Sequence, residues 1–544
     1  MRLSLSVLLA VWAAAALDGG GASPGHSKRD AALQSIQGRV RVIVRAQPGS
    51  MSVVADRLRQ RHAEVVRQHA LIDAVDAIVG AEDLAALDAD PSVLSVSIDA
   101  AVISAANAPP DDGASGDANR LLATLGLPQR GGWSGRGVGV AVIDSGFAPS
   151  ADLSGGRFFD FTSASASNPT DEYGHGTHVS GLIAGKGALS ATSGGSLYVG
   201  VAPDARLVSL KVLDALGVGQ TSAVITAIEF AVQNRTSLGI DIINLSLGHP
   251  ILEPAASDPL VQAVEAASRA GIAVVVAAGN LGQRLGATTT GYAGILSPGN
   301  APSAITVGAV DTKTTATRVD DVVAGYSSRG PTWYDGLVKP DVVAPGHNLV
   351  SDASIGSTLY SQHPERQVSV HGPARYFRMS GSSMAAAVTS GVAALVIEAS
   401  RASFGNAPPP ETLRAILAYT ALPLSGADPL TQGHGELNAS GAIALAATVP
   451  PSTPPSAWPA ANLPPPYTSI DGLVSAWGQT VVWGNTVVWG NGEWPQPWAL
   501  TVVWGNTVVW GNDLGDTVVW GNTVVWGNDV GDTVVWGNSV WNNP

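Results

Sequence analysis

Residues 138–144 read VGVAVID: six small or β-branched apolar residues that end on Asp144. A continuous apolar run of this length, with no polar alternation, is the pattern of a strand covered on both faces. Similar runs follow along the chain: ARLVSLKVL at 205–213, IDIINLSLG at 240–248, GIAVVVAAGN at 271–280 and SAITVGAV at 303–310. Between them lie helical stretches such as SAVITAIEFAVQ at 222–233 and PLVQAVEAASRA at 259–270. Strands that alternate with helices predict a parallel sheet with helices on both faces. In such sheets functional residues gather at the carboxyl ends of the strands. Asp144, Ser246 and Asn280 all fall there.

Composition narrows the function classes. The chain has 544 residues, enough for several domains. Charged residues make up 13%, and the formal net charge is −14, so no nucleic-acid partner is expected. There is no cysteine, which excludes disulfides, cysteine nucleophiles and cysteine-ligated zinc. At the N-terminus, Arg2 precedes an apolar run over residues 3–17 and then small residues. That run suits a cleaved secretory signal, with cleavage near Ala16 or Ala22, and is short for a membrane span. No later segment reads as a membrane span, so a secreted protein is expected.

Five stretches then read as a compact α+β unit over 38–103: GRVRVIVRA, SMSVVADRLRQRH, AVDAIVGA, AEDLAALDAD and SVLSVSIDAA. The segment NAPPDDGASGDAN at 107–119 has the composition of an exposed, cuttable linker. After the α/β region comes a Pro-rich spacer, VPPSTPPSAWPAANLPPPY at 449–467. Beyond it TVVWGN recurs at 480, 486, 501, 507, 517, 523 and 533. TVVW suits a strand and Gly-Asn a tight turn, so the tail reads either as an antiparallel meander or as a parallel solenoid. A structural appendage is the favoured reading of this tail; an aromatic platform for glycan or cell-surface contact is the alternative.

The stretch RMSGSSMAAAVTSG at 378–391 puts Ser380, Ser382 and Ser383 at the mouth of an Ala-rich helix. A serine hydroxyl becomes a nucleophile only when a base takes its proton and a third group orients that base. His175, in YGHGTHVSGLIAG, and the buried Asp144 are the candidates. The segments VAVIDSG, GHGTHVSG and GSSMAAAV, in the order Asp, His, Ser, resemble the three catalytic motifs of the subtilisin-like serine proteases. KVLDALGVGQTSAVITAIEFA, NLSLG, AAGN and YSSRGPTWYDGLVKPDVVAPG extend the resemblance over 120–447.

The resemblance implies an α/β, subtilisin-like three-layer fold with a mainly parallel central sheet. It divides the chain into a signal peptide (1–22), a ferredoxin-like inhibitory propeptide (38–103), a processing linker (104–119), a catalytic domain (120–447), a Pro-rich linker (448–476) and a β-rich repeat tail (477–544). It makes Ser383 the nucleophile, His175 the general base and then acid, Asp144 its orienting partner, and Asn280 the side-chain oxyanion donor. Gly217, Val218, Gly219, Ser246, Leu247 and Gly248 would pair with an extended polypeptide substrate. The propeptide would remain as an inhibitor after the precursor cuts itself between about Ala101 and Asn119. The family usually has Pro four residues after the nucleophile; this chain has Ala387, which is expected to alter local helix geometry at most. No cofactor is implied. Calcium is left open, because Asp152 resembles a calcium-ligating position but KGALSATSGGSLYVG at 186–200 lacks oxygen side chains to complete a site. His178, three residues from His175, reads as a buried hydrogen-bonded histidine rather than a metal ligand.

Two rival readings are weaker. An acid peptidase on the same fold would carry Glu where His175 stands. A silent surface protein would have no need of a complete Asp, His, Ser and Asn set.

Overall fold

The computed structural model describes residues 28–105, 120–128, 131–163, 168–192, 195–282, 291–370, 372–453, 458 and 463–477. It also describes the backbone of 481–483, 486–490, 501–504, 507–511, 517–520, 523–527, 534–536 and 539–542. The expected signal segment and most of the expected processing linker lie outside these residues.

An N-terminal α+β module comes first. Its strands are β1 (Arg39–Ala46), β2 (Glu64–His69), β3 (Ala74–Gly80) and β4 (Val93–Ile98), with helices α1 (Met51–Gln60) and α2 (Ala81–Ala89). The sheet order is β2-β3-β1-β4, and β1 runs antiparallel to both β3 and β4. Alternate strand residues Val42, Val44, Val75, Ala77 and Val79 share one core with Val54 and Leu58 of α1, the side-chain period of two that a half-covered sheet requires.

The central sheet is built from β6 (Gly139–Asp144), β7 (Arg157–Asp160), β8 (Arg206–Lys211), β10 (Ile242–Leu245), β12 (Ala273–Ala277), β14 (Ile305–Asp311), β15 (Val322–Val323) and β16 (Val342–Pro345). The path runs β15-β14-β12-β10-β6-β8-β7, with β16 also on β14. Only the β14–β15 pair is antiparallel. Both faces are dry. Val140 and Val142 join one core, with Val275 and Val307; Ala141 and Ile143 join the other, with Val274 and Val276. Burying an aliphatic side chain of this size contributes about 1.5–3 kcal/mol, which explains why these strands read as unbroken apolar runs.

Helix α3 (His175–Ala184) and the long helix α6 (Ser382–Phe404) cover the first face; α4 (Thr221–Gln233) and α5 (Pro259–Arg269) cover the second. Helix α6 is long and apolar enough to cross a membrane, contrary to the sequence reading, but 94% of its most apolar window is buried inside the protein. Its composition is that of a core helix packed all round. Ala387 is fully buried within it and the helix runs on unbroken.

Two features change the reading of the C-terminal third. Within the expected spacer, strands β17 (Tyr467–Ile470) and β18 (Leu473–Ala476) form a hairpin. The hairpin is anchored to the domain: Asn438 Nδ2 and Trp477 Nε1 both donate to Thr468 Oγ1, and Ile470 and Trp477 pack with Leu422 and Tyr419. In the tail, the repeat strands form two ladders, each joining every second repeat. Pairing is parallel and in register, with Trp483, Trp504, Trp520 and Trp536 as successive Cα partners in one ladder and Trp489, Trp510 and Trp526 in the other. Among the described residues the pairing is thus the parallel one of the solenoid alternative.

Candidate active site

Strand β6 delivers Asp144 to its carboxyl end, fully buried. Such a carboxylate is costly unless it is paired. Its Oδ1 accepts the Ser145 N–H at 2.7 Å and lies 2.7 Å from His175 Nδ1. His175 opens α3 and is itself fully buried. Helix α3 can reach the strand because Gly176 faces Gly146: a Cβ on Gly176 would lie 2.2 Å from the Gly146 carbonyl oxygen. The pairing at Nδ1 leaves His175 Nε2 for other work, and it has no hydrogen-bond partner.

Two side chains that sequence reasoning missed, Asp171 and Lys211, hold this half together. Asp171 Oδ1 accepts from Ser145 Oγ (2.8 Å) and Gly174 N (2.7 Å), and its Oδ2 accepts from Thr177 N (2.8 Å) and Oγ1 (2.6 Å). It thus ties the segment after Asp144 to the first turn of α3, where a carboxylate also suits the helix dipole. Lys211 Nζ, buried, donates to the carbonyls of Ser145 (2.7 Å) and Leu213 (3.0 Å) and pairs with Glu172 (2.8 Å). His178 donates from Nε2 to the Leu349 carbonyl, 3.1 Å away, and burial pushes its pKa down to about 3. It is neutral, as a buried hydrogen-bonded histidine should be.

The other half lies at the start of α6. Ser383 is the second residue of that helix and is buried. N–H groups in a first turn have no partner within the helix and point along its positive end. The Ser383 hydroxyl donates to the Ser246 carbonyl at 3.1 Å rather than to His175. Asn280 follows β12, and its Oδ1 accepts the Ser382 N–H at 2.9 Å, which turns Nδ2 outward. The Ser382 hydroxyl accepts the Gly279 N–H at 3.0 Å and so fixes the loop that carries Asn280. Ser380 is a staple elsewhere: its Oγ accepts the Asn348 N–H. The three serines of the 378–391 stretch therefore do three different jobs.

A strand fills the cleft between the two halves. Strand β5 (Ala101–Ser104) lies antiparallel between β9 (Val218–Gln220) and β11 (Leu247–Pro250). Ile103 faces Val218 and Gly248, Val102 faces Gly219, and Ser104 faces Leu247. The Ser104 N–H donates to the Gly217 carbonyl at 3.3 Å, and the Ala105 N–H donates to the Ser246 carbonyl at 3.1 Å. All six residues singled out as substrate-pairing thus touch one extended segment of this chain. Asn280 Nδ2 donates to the Ala105 carbonyl oxygen.

The N-terminal module is docked behind this strand. Asp99 accepts from Ser222 N (2.8 Å) and Oγ (2.7 Å), supplying the first turn of α4 with a carboxylate. Arg41 pairs with Asp76 (2.5 Å) and Asp99 (2.8 Å). Glu253 of the domain is buried beside Ser97 and Asp30 of the module, and that burial, with Asp258 beside it, pushes its pKa up to about 9.

At Asp152, the position left open for calcium, two buried carboxylates meet. Asp152 is fully buried, and its oxygens already accept the Leu189 N–H (3.0 Å) and the Tyr376 hydroxyl (2.6 Å). Asp352 lies against it, accepting from Ser150 Oγ, and burial beside Asp152 holds its carboxyl well above the usual range. Among the described residues no three His, Cys, Asp or Glu side chains form a metal-binding group.

Comparison with known proteins places this geometry. The subtilase family model matches residues 135–442, more than half of the chain, and the chain belongs to that family. The serine protease AprX of Bacillus subtilis (strain 168) is 38% identical over 317 residues, covering 57% of this chain and 67% of AprX. Subtilisin DY of Bacillus licheniformis is 37% identical over 270 residues, covering 49% of this chain and 80% of that protein. Among solved structures, fervidolysin from Fervidobacterium pennivorans, a keratinolytic enzyme related to subtilisin, shares the fold with a TM-score of 0.58 at 23% identity. That likeness covers 77% of this chain and 63% of fervidolysin. The chain is a subtilisin-like serine protease.

Proposed function

We propose that this chain is a secreted serine endopeptidase made as a zymogen, with Asp144, His175, Ser383 and Asn280 as its catalytic residues. His175 Nε2 takes the Ser383 proton as Oγ attacks a substrate carbonyl carbon. Asp144 keeps the other ring nitrogen protonated and stabilises the imidazolium that forms. Asn280 Nδ2 and the Ser383 N–H hold the negative oxygen of the tetrahedral intermediate. His175 then protonates the leaving amine, the acyl-enzyme forms on Ser383 Oγ, and water releases it by the same steps in reverse. Gly217 to Gly219 and Ser246 to Gly248 hold the substrate as a strand through backbone groups, so flexible or unfolded polypeptides are the substrates.

The observation that carries this reading is the Ala105 carbonyl, which sits on the Asn280 amide while the Ala105 N–H binds Ser246, the residue whose carbonyl also holds the Ser383 hydroxyl. The first bond cut is then the chain's own Ala105–Ala106 peptide. The module over 38–103 and the strand that follows it remain as a product-like inhibitor. The signal segment and export complete the zymogen reading, and the ladder pairing of the repeats supports the tail as a structural appendage. Labelling with a serine-reactive fluorophosphonate tests the site: label mapped to Ser383, and lost in Ser383→Ala, supports it; label elsewhere overturns it.

A further inference from the structure

The strand in the cleft shows what the cleft reads beyond backbone. Ser104 is the residue just before the one that presents its carbonyl to Asn280. Its N–H is held by the Gly217 carbonyl, and its hydroxyl donates to the Tyr173 hydroxyl at 3.3 Å. Both oxygens are buried. Nothing in the proposed chemistry uses Tyr173.

Several contacts fix the Tyr173 ring. It lies flush on Gly217, whose φ is +74°; a Cβ there would fall 2.4 Å from Tyr173 Cζ. Only glycine combines that backbone conformation with that approach. The Tyr173 carbonyl accepts the Leu359 N–H at 3.1 Å, and Thr358 Oγ1 donates to the Ala215 carbonyl, bracing the loop below. Two residues on stands His175, with ring centroids 6.4 Å apart. Burial pushes the Tyr173 phenol up, so the hydroxyl keeps its proton and can both donate and accept.

We propose that Tyr173 is a specificity-determining residue whose hydroxyl selects a short hydroxyl side chain immediately before the residue that supplies the scissile carbonyl. This rests on the reading of the cleft given above. A buried hydroxyl left without a partner costs free energy, whereas one that meets a second hydroxyl does not. A substrate with serine there gains the contact; one with an apolar isostere leaves Tyr173 unpaired.

Internally quenched peptides carrying Val-Ile-Xaa-Ala-Ala-Asn, the chain's own sequence over 102–107 with Xaa as Ser or 2-aminobutyrate, test this on enzyme matured from the full chain. The two side chains have nearly the same shape. The expected kcat/KM ratio favours Ser by about 2- to 10-fold, the scale of one neutral hydrogen bond, and Tyr173→Phe brings the ratio to about one. A wild-type ratio of one overturns the proposal and needs no variant to fold. So does a ratio that survives in Tyr173→Phe, because a merely structural tyrosine would change both peptides alike. If neither peptide is cut and a fluorophosphonate does not label Ser383, the reading of the cleft itself fails.

Discussion

The two halves of the candidate site are held in different ways. On the His175 side, charged side chains are sunk in the interior and multiply tied: Asp171 accepts four hydrogen bonds and Lys211 makes three contacts. On the Ser383 side, the working groups are dipoles: a side-chain amide, backbone N–H groups and the start of a helix. Their arrangement is closed by a strand of the chain itself. A base must keep one orientation through the whole cycle, so redundant bonding suits it. An oxyanion pocket must open to each new carbonyl, so it is set by a few orienting bonds and left accessible.

Substitutions in each half sharpen that contrast. Ser383→Ala should have the largest effect, loss of all measurable peptidase activity, about 10⁶-fold in kcat, since the attacking atom is gone. Asn280→Ala should lower kcat by about 10²–10³-fold with little change in KM; steady-state kinetics on a peptide substrate separates the two, and a pure KM effect would contradict its role. Asp171→Ala should strand several buried donors and destabilise the protein by about 1–3 kcal/mol, seen in thermal unfolding. Ser382→Ala removes only the Gly279 tie and should cost about 0.5–1.5 kcal/mol, with kcat lowered more than KM as Asn280 loosens.

The module–domain seam adds a pH dependence. Exposed glutamate has a pKa of about 4.3, whereas burial at the seam, with Asp258 beside it, pushes Glu253 up to about 9. A raised pKa in the docked state means that docking is at full strength below the exposed value and weakens as pH rises from there through about 9. Release of the N-terminal module, followed by size exclusion, should therefore be faster at pH 9 than at pH 5. Glu253→Gln should flatten the difference.

Much of this was legible in the sequence because covering a sheet on both faces leaves continuous apolar runs. Those runs end on Asp144, Ser246 and Asn280, and the small residues around His175 and Ser383 mark close approach. The ties made by Asp171, Lys211 and Ser382 were not legible: their partners lie 26 to 103 residues away in the case of Ser145 and Gly279, and a hydrogen bond leaves no periodic trace. The second acid at the Asp152 corner was hidden for a related reason. Asp352 comes from a strand 200 residues later in the chain, so local spacing could not reveal it. The hairpin at 467–476 was hidden by the prolines before it. In the tail, identical repeats satisfy parallel and antiparallel pairing equally well, and only the backbone register separates them.

The claim that Ser383 cuts the Ala105–Ala106 bond is tested most directly by mass spectrometry of the wild type and Ser383→Ala, expressed side by side in a host without other extracellular proteases. The account predicts a wild-type chain that begins at Ala106, with the 38–103 module recovered as a separate fragment ending at Ala105, and a mutant that keeps the two joined. A mutant processed at the same bond to the same extent would contradict it.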